Sequence, residues 1–286
     1  MSSPFDVGVI DLMVTVPSPE AWQQTFAGLV RDEGSADLAH PAGYLFGDRP
    51  DIGGQADFLA SLLGEMDRWG VERALLPVDE GDAWGRHAVR THPHRFSGSL
   101  LIDPHRGSDE RNKLRRLHAA GLVHAAAVFP AGLQPGVAVD GALLYPIYAA
   151  CCELDIPVLV NVGVPGPRFP MSTQHPGGLD RVCYDFPDLR VVTRHGGEPW
   201  EDLLVKLMVK WPNLYYSTSA FAPKHYPGAI VDFANSRGQD KVLYAGYFPS
   251  GLSLERIFTE LADVPFRVEV WPAFLRTNAQ RVFGFT

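Results

Sequence analysis

The chain is poor in the features that mark secreted, membrane-bound or nucleic-acid-binding proteins. Only three cysteines occur in 286 residues, two of them the neighbours Cys151 and Cys152. An odd number without CxxC spacing supports neither a disulfide framework nor a zinc knuckle, and it fits a reducing, cytoplasmic setting. No apolar run approaches the roughly 18 residues a membrane span requires, and no basic flank precedes a long apolar stretch at the N-terminus. Neither a membrane partner nor export is expected. Basic residues are outnumbered, 25 Lys and Arg against 33 Asp and Glu, which leaves a formal net charge of −8 at pH 7. With no Lys/Arg cluster standing out, a nucleic-acid partner is not expected either. GxGxxG does not follow the first apolar run and GxxxxGK[ST] occurs nowhere, so nucleotide-binding open sheets lose their support.

What is present is a globular composition, 46% apolar and 20% charged. Short apolar or β-branched runs alternate with longer amphipathic stretches about eight times, the pattern of parallel strands joined by helices. The strand runs are Val7–Val14, Arg73–Val78, Phe96–Ile102, Val123–Phe129, Pro157–Val162, Arg190–Thr193, Leu214–Thr218 and Lys241–Ala245. Most are continuously apolar, as strands covered on both faces are. The helical stretches are Gln55–Trp69, Ala83–His92, Asp109–Ala120, Gly141–Leu154, Gly178–Phe186, Trp200–Trp211, Tyr226–Arg237 and Leu254–Leu261, with Pro272–Phe283 closing the chain.

Eight such pairs in somewhat more than about 250 residues predict an α/β fold, a (β/α)8 TIM barrel rather than an open doubly wound sheet. One domain is expected over residues 1–286, with a closing helix in 268–286. The segment 18–54 carries Gly, Pro and aromatic residues without periodicity, and a loop of that length reads as a lid. Its Trp22, Tyr44, Phe46 and Arg49 either close over a ligand or pack the loop onto the barrel.

In such a barrel the chemistry sits at the carboxyl ends of the strands. Those positions hold Asp11, Met13 and Thr15, then Asp79, Glu80 and Asp82, then Asp103 and His105, then Phe129 and Asn161. Arg194, His195 and Glu198 follow the sixth strand, Ser217 and Ser219 the seventh, Tyr247 the eighth. The run Arg194-His195-Gly196-Gly197-Glu198 stands out, an imidazole base beside a guanidinium, with two glycines that would let a ligand approach the backbone. If His195 faces the barrel axis, strand alternation points Arg194 outward. Glu198 is read as beginning the next helix, where the dipole favours an acid. His175 lies in a loop within reach of the mouth. Cys151 and Cys152 fall on a helix face away from it.

Several segments together resemble the amidohydrolase-related enzymes of the aminocarboxymuconate-semialdehyde decarboxylase type, a branch that includes aromatic-acid decarboxylases, hydratases and lactonases. They are VIDLMVTVP at Val9–Pro17, LIDPHRG at Leu101–Gly107, YPIYAACCELDIPVLVNVG at Tyr145–Gly163 and HPGGLDRVCYDFPDLRVVTRHGGEPW at His175–Trp200. KWPNLYYSTSAFAP at Lys210–Pro223, DKVLYAGYFP at Asp240–Pro249 and NAQRVFGF at Asn278–Phe285 complete the set. The resemblance implies a divalent metal, often zinc, on an HxH of the first strand, a His of the fifth and an Asp of the eighth. Here those positions are Met13 and Thr15, Asn161, and Tyr247, while the sixth-strand histidine survives as His195. A thioether, a hydroxyl, an amide and a phenol supply no strong donor, so no metal and no other cofactor is expected. His40, His105, His124 and His175 show no spacing that would replace the set.

Without a metal, the chemistry within reach is general acid–base work on an activated substrate. The expected function is that of a metal-independent hydrolase or carbon–carbon lyase of the decarboxylase type, acting on a small cyclic or aromatic carboxylate. His195 would be the acid or base. Tyr247 would donate to an oxyanion or fill the vacated space. Asn161 would bond to ligand or to His195. Thr15, Met13, Arg194, His175, Glu198, Trp22 and Tyr44 are the candidate substrate contacts. The competing reading is an inactive ligand-binding or scaffold subunit that pairs with a metal-containing paralogue. An open polar mouth around His195 favours the enzyme, and a mouth plugged by Met13, Tyr247 and aromatics favours the subunit. A homodimer is the expected assembly.

Overall fold

The apolar runs form eight strands, each followed by a helix, in a computed structural model that describes residues 7–16, 26, 28–36, 38, 42–46, 50 and 55–285. The strands are β1 Val9–Asp11, β2 Val71–Pro77, β3 Phe96–Leu101, β4 Val123–Val128, β5 Val158–Asn161, β6 Val191–Arg194, β7 Leu214–Ser217 and β8 Val242–Leu243. The helices are α1 Gln55–Arg68, α2 Ala83–Thr91, α3 Ser108–Ala119, α4 Tyr145–Glu153, α5 Leu179–Asp185, α6 Glu201–Lys210, α7 Gly228–Ala234 and α8 Leu254–Leu261, with α9 Asn278–Phe283 at the end. Neighbouring strands pair in parallel and in chain order. The ends of the sheet meet where Tyr247 N–H donates to Met13 O at 2.9 Å and Thr15 N–H to Phe248 O at 2.8 Å. The result is a (β/α)8 barrel.

Differences from the sequence reading are local. β1 is shorter than Val7–Val14 because its register shifts after Val9 and its later backbone bonds divide between Leu75 and the residues after β8. Pro146 in the first turn of α4 separates it from the short turn Ala142–Leu144, so Gly141–Leu154 is not one helix. The last helix is preceded by a wide turn at Ala273–Thr277 and stops at Gly284, whose φ of 67° suits glycine.

Inside the barrel, Ile10, Leu12, Leu75, Leu159, Val192 and Leu243 pack with the small Ala125, Ala127 and Ala245. Alternating large and small side chains suits the narrow bore of eight strands. Val282, Phe283 and Phe285 cover the lower end, where Arg73 at the start of β2 lies 4.9 Å from the centre of the Phe285 ring. The larger core lies between strands and helices. Among the described residues, the opposite end stays open. Among the described residues, no helix is long and apolar enough to cross a membrane.

Asp11 ties the seam. Its Oδ1 accepts the Met13 N–H at 2.9 Å and the Gly246 N–H at 2.8 Å. Oδ2 has no well-formed hydrogen bond among the described residues, and the Tyr244 hydroxyl offers only partial relief. Burial therefore dominates and lifts the carboxyl from its ordinary 3.8 to about 6. Between those values the folded chain binds more protons than the unfolded one. Stability thus falls as pH rises through that window, and a penalty of about 3 kcal/mol stands in full above it. Asp11→Asn keeps the Oδ1 acceptor and should stabilise the protein at pH 7.5 by about 1–3 kcal/mol, the gain fading towards pH 4. Urea unfolding across that range checks this; a variant less stable than wild type at pH 7.5 would contradict it.

Candidate active site

The carboxyl ends of the strands open on a cavity of 1340 Å³. Seven of the expected residues line it: Met13, Thr15, Asn161, Arg194, His195, Glu198 and Tyr247. Among the described residues, neither Met13, Tyr247 nor the neighbouring aromatics plug the mouth.

The end of β6 departs from the sequence reading. Val192 belongs to the barrel interior, and two residues on, Arg194 returns to the same side. Asn161 of β5 is its register partner, so both side chains leave the sheet on one face. Arg194 is thus not directed outward to the helices. His195 still lines the cavity because its φ of 62° ends the strand geometry and breaks the alternation. The Arg194 Nη2 donates to Leu12 O just past β1 at 3.5 Å, and its Nε is buried without a partner among the described residues. Burial pulls this guanidinium down to about 10, opposed by the nearby Tyr247 phenol, and it stays charged at neutral pH.

His195 is held from both backbone and ring. Its N–H donates to Ser219 Oγ at 2.9 Å, and the same hydroxyl lies 3.3 Å from Nδ1. Tyr247 meets the imidazole edge-on, with ring centres 5.6 Å apart. Tyr247 itself has a φ of 89° and Ala220 one of 68°, so three of the four non-glycine residues with positive φ among the described residues line this cavity. Each such conformation costs on the order of 1 kcal/mol and persists where surrounding structure over-determines it. Gly196 and Gly197 are required by the protein rather than by a ligand. A Cβ on Gly196 would fall 2.7 Å from Phe221, and one on Gly197 would fall 2.3 Å from Leu204.

The remaining candidates divide. The Thr15 hydroxyl is occupied by Ser250, 2.7 Å from its Oγ, and by the Phe248 carbonyl at 3.2 Å. Met13 is a lining side chain packed on the barrel interior. Glu198 does not begin a helix: α6 starts at Glu201, with Glu201 and Asp202 in its first turn, and Glu198 sits exposed on the rim. His175 is outside the cavity, its Nδ1 accepting the Gly177 N–H at 3.1 Å and its ring edge-on to Trp200. Tyr44 is 46% exposed and donates to Gly166 O at 2.6 Å beneath the Arg168 guanidinium, so it packs its loop down instead of lining the cavity. Phe46 does reach the lining, against Tyr247. Trp22 and Arg49 lie outside the described residues, as does much of 18–54. Sequence reasoning missed Gln174, whose buried amide bonds Gly163 O at 3.1 Å, and the aromatic walls Trp84 and Phe221. Gln174 and Phe221 sit in connections that carry no periodic signal. Trp84, in the first turn of α2 two residues beyond the Asp82 cap, was findable.

A barrel whose strand ends surround a histidine defines the class. The Amidohydrolase family model matches residues 40–285, and the chain belongs to that family. No curated protein sequence matches the chain. Among solved structures, it is similar to an uncharacterised TIM-barrel protein from Bordetella bronchiseptica, with 22% identity and a TM-score of 0.73 over 97% of this chain and 98% of that one. A 5-carboxyvanillate decarboxylase from Novosphingobium aromaticivorans, complexed with manganese and 4-hydroxy-3-methoxy-5-nitrobenzoic acid, shows 16% identity and a TM-score of 0.70 over 98% and 97%. A 2,6-dihydroxybenzoate decarboxylase from Rhizobium shows 17% and 0.64 over 97% and 98%.

The side chains here do not fit the metal that the family resemblance implies. No three His, Cys, Asp or Glu residues converge among the described residues. Thr15 is committed to Ser250, Met13 and Asn161 are neutral, and a guanidinium stands beside Asn161 and Tyr247. A cation brought there would meet weak donors and a like charge. Equilibrium dialysis against zinc or manganese, read by elemental analysis, should leave well under one equivalent bound; a full equivalent retained would contradict this.

Proposed function

We propose that this chain is a metal-independent enzyme of the amidohydrolase fold, a hydrolase or carbon–carbon lyase acting on a small cyclic or aromatic carboxylate, with His195 as general acid or base. The observation that carries the reading is His195 itself: a strained residue, positioned through Ser219, on the wall of an open cavity. Strain of this kind is maintained where the position of the side chain matters. The named structural neighbours support the substrate class, since two are decarboxylases of aromatic acids. That the described residues leave the mouth open counts against the plugged, non-catalytic barrel.

The roles follow from geometry. With Ser219 at Nδ1, the Nε2 edge of His195 exchanges the proton: it takes one from water adding to an activated carbonyl, or delivers one to a carbon whose bond is breaking. Tyr247, edge-on to the imidazole, donates its hydroxyl to the developing oxyanion. Asn161 supplies a neutral amide to the same space. A homodimer in a cytoplasmic setting accompanies this reading.

The test is turnover by chelator-treated protein on a panel of aryl esters, lactones and hydroxybenzoates. Activity should survive chelation and fall by about 100-fold or more in His195→Ala. Activity lost on chelation and restored by added zinc or manganese, or a fully active His195→Ala, would overturn the proposal.

A further inference from the structure

Among the described residues, two charged side chains on the cavity wall stand outside any ion pair or capping contact: Glu198, exposed on the rim, and the Arg194 guanidinium farther in. Asp79 is paired with Lys113 at 2.9 Å, and the Asp82 carboxylate caps α2 through the Trp84 and Gly85 N–H groups. Arg256 is paired with Glu260 at 2.9 Å. Arg194 takes part in none of the ion pairs among the described residues. Among the described residues it has a single long hydrogen bond, to Leu12 O at 3.5 Å, and its Nε is buried without a partner. A guanidinium taken from water without a carboxylate is costly, and its rigid fork matches a planar oxyanion in two parallel bonds. Asn161 is level with it on the adjoining strand, and Tyr247 is close enough for its phenol to act on the Arg194 charge.

We propose that Arg194 is the anion anchor of this cavity, receiving a ring carboxylate of the substrate between the Asn161 amide and the Tyr247 hydroxyl, and that this carboxylate is a spectator of the reaction. The inference rests on the carboxylate substrate class proposed above and makes it specific. A carboxylate that departs as carbon dioxide surrenders its negative charge, so a guanidinium gripping it would stabilise the ground state more than the transition state and slow the step. A spectator keeps its charge throughout, and its binding energy is available to align a second group with His195. The substrate class is therefore a small ring with one carboxylate for Arg194 and a separate reacting group, an ester or lactone carbonyl or a second carboxylate, facing His195. Phe46, Phe129 and Phe221 supply apolar wall for such a ring.

The probes are benzoate, isophthalate and the neutral isostere benzamide, titrated calorimetrically into wild type, Arg194→Met, Arg194→Lys and Arg256→Met, with folding of each verified by thermal unfolding. Both acids should bind wild type at least tenfold tighter than benzamide. Arg194→Met should lose that preference, Arg194→Lys keep part of it, and Arg256→Met keep it all. Benzamide binding as well as benzoate, an unaffected Arg194→Met, loss in Arg256→Met instead, or no binding of either acid at millimolar concentration would each overturn the anchor. On any substrate found, Arg194→Met should raise KM at least tenfold with a smaller fall in kcat; a collapse of kcat at unchanged KM would overturn the spectator role. Binding that depends on Arg194 in a protein without turnover would retain the anchor and remove the enzymatic reading. Turnover that depends on His195 while binding ignores Arg194 would do the reverse.

Discussion

A guanidinium half-buried at the mouth of a barrel, with no carboxylate partner among the described residues, carries a desolvation cost that its own fold does not offset, and this barrel holds one. Arg194 reaches from β6 to the Leu12 carbonyl just past the first strand, level with Asn161 and within the field of Tyr247. The family resemblance implies a divalent cation held from three of those strands. At the implied positions this chain carries neutral groups, and a fixed cation of the protein's own stands among them. Neutral neighbours and a guanidinium are mutually consistent: each carboxylate or imidazole removed lowers the attraction for a metal and leaves more of the field of Arg194 for an incoming anion.

The surrounding structure is built to hold that arrangement still. Ser219 engages both the backbone and the ring of His195, and positive φ at His195, Ala220 and Tyr247 turns the chain around the cavity. Asp11 performs a comparable service on the seam, where one carboxylate oxygen joins the start of the barrel to its end at the cost of burying the other. A seam fixed in this way sets where Tyr247, one residue past Gly246, meets the imidazole.

Most of the architecture was legible because continuous apolar runs and amphipathic stretches have few other ways to bury themselves. Leu254–Leu261 coincides with α8, and every strand was located to within a few residues. The shortfalls occur where backbone conformation or tertiary partners decide. Nothing in the letters RH announces that His195 takes a left-handed φ, so alternation sent Arg194 to the wrong face. His175 and Tyr44 were plausible on position, but Trp200 and Gly166 claimed them. Gly196 and Gly197 were legible as special, yet their reason is contact with Phe221 and Leu204. That Met13 and Thr15 stand where the resemblance implies two histidines is a matter of residue type and is read from the sequence alone.

The most direct measurement is a crystal structure grown with both manganese and isophthalate, with anomalous data collected at the manganese edge. A ring carboxylate should appear with its oxygens at about 3 Å from the Arg194 guanidinium nitrogens, and the cavity should show no anomalous peak. A manganese ion bound beside His195, with the guanidinium swung away from the ligand, would contradict Arg194 as the anion anchor of a site that does not fit a metal.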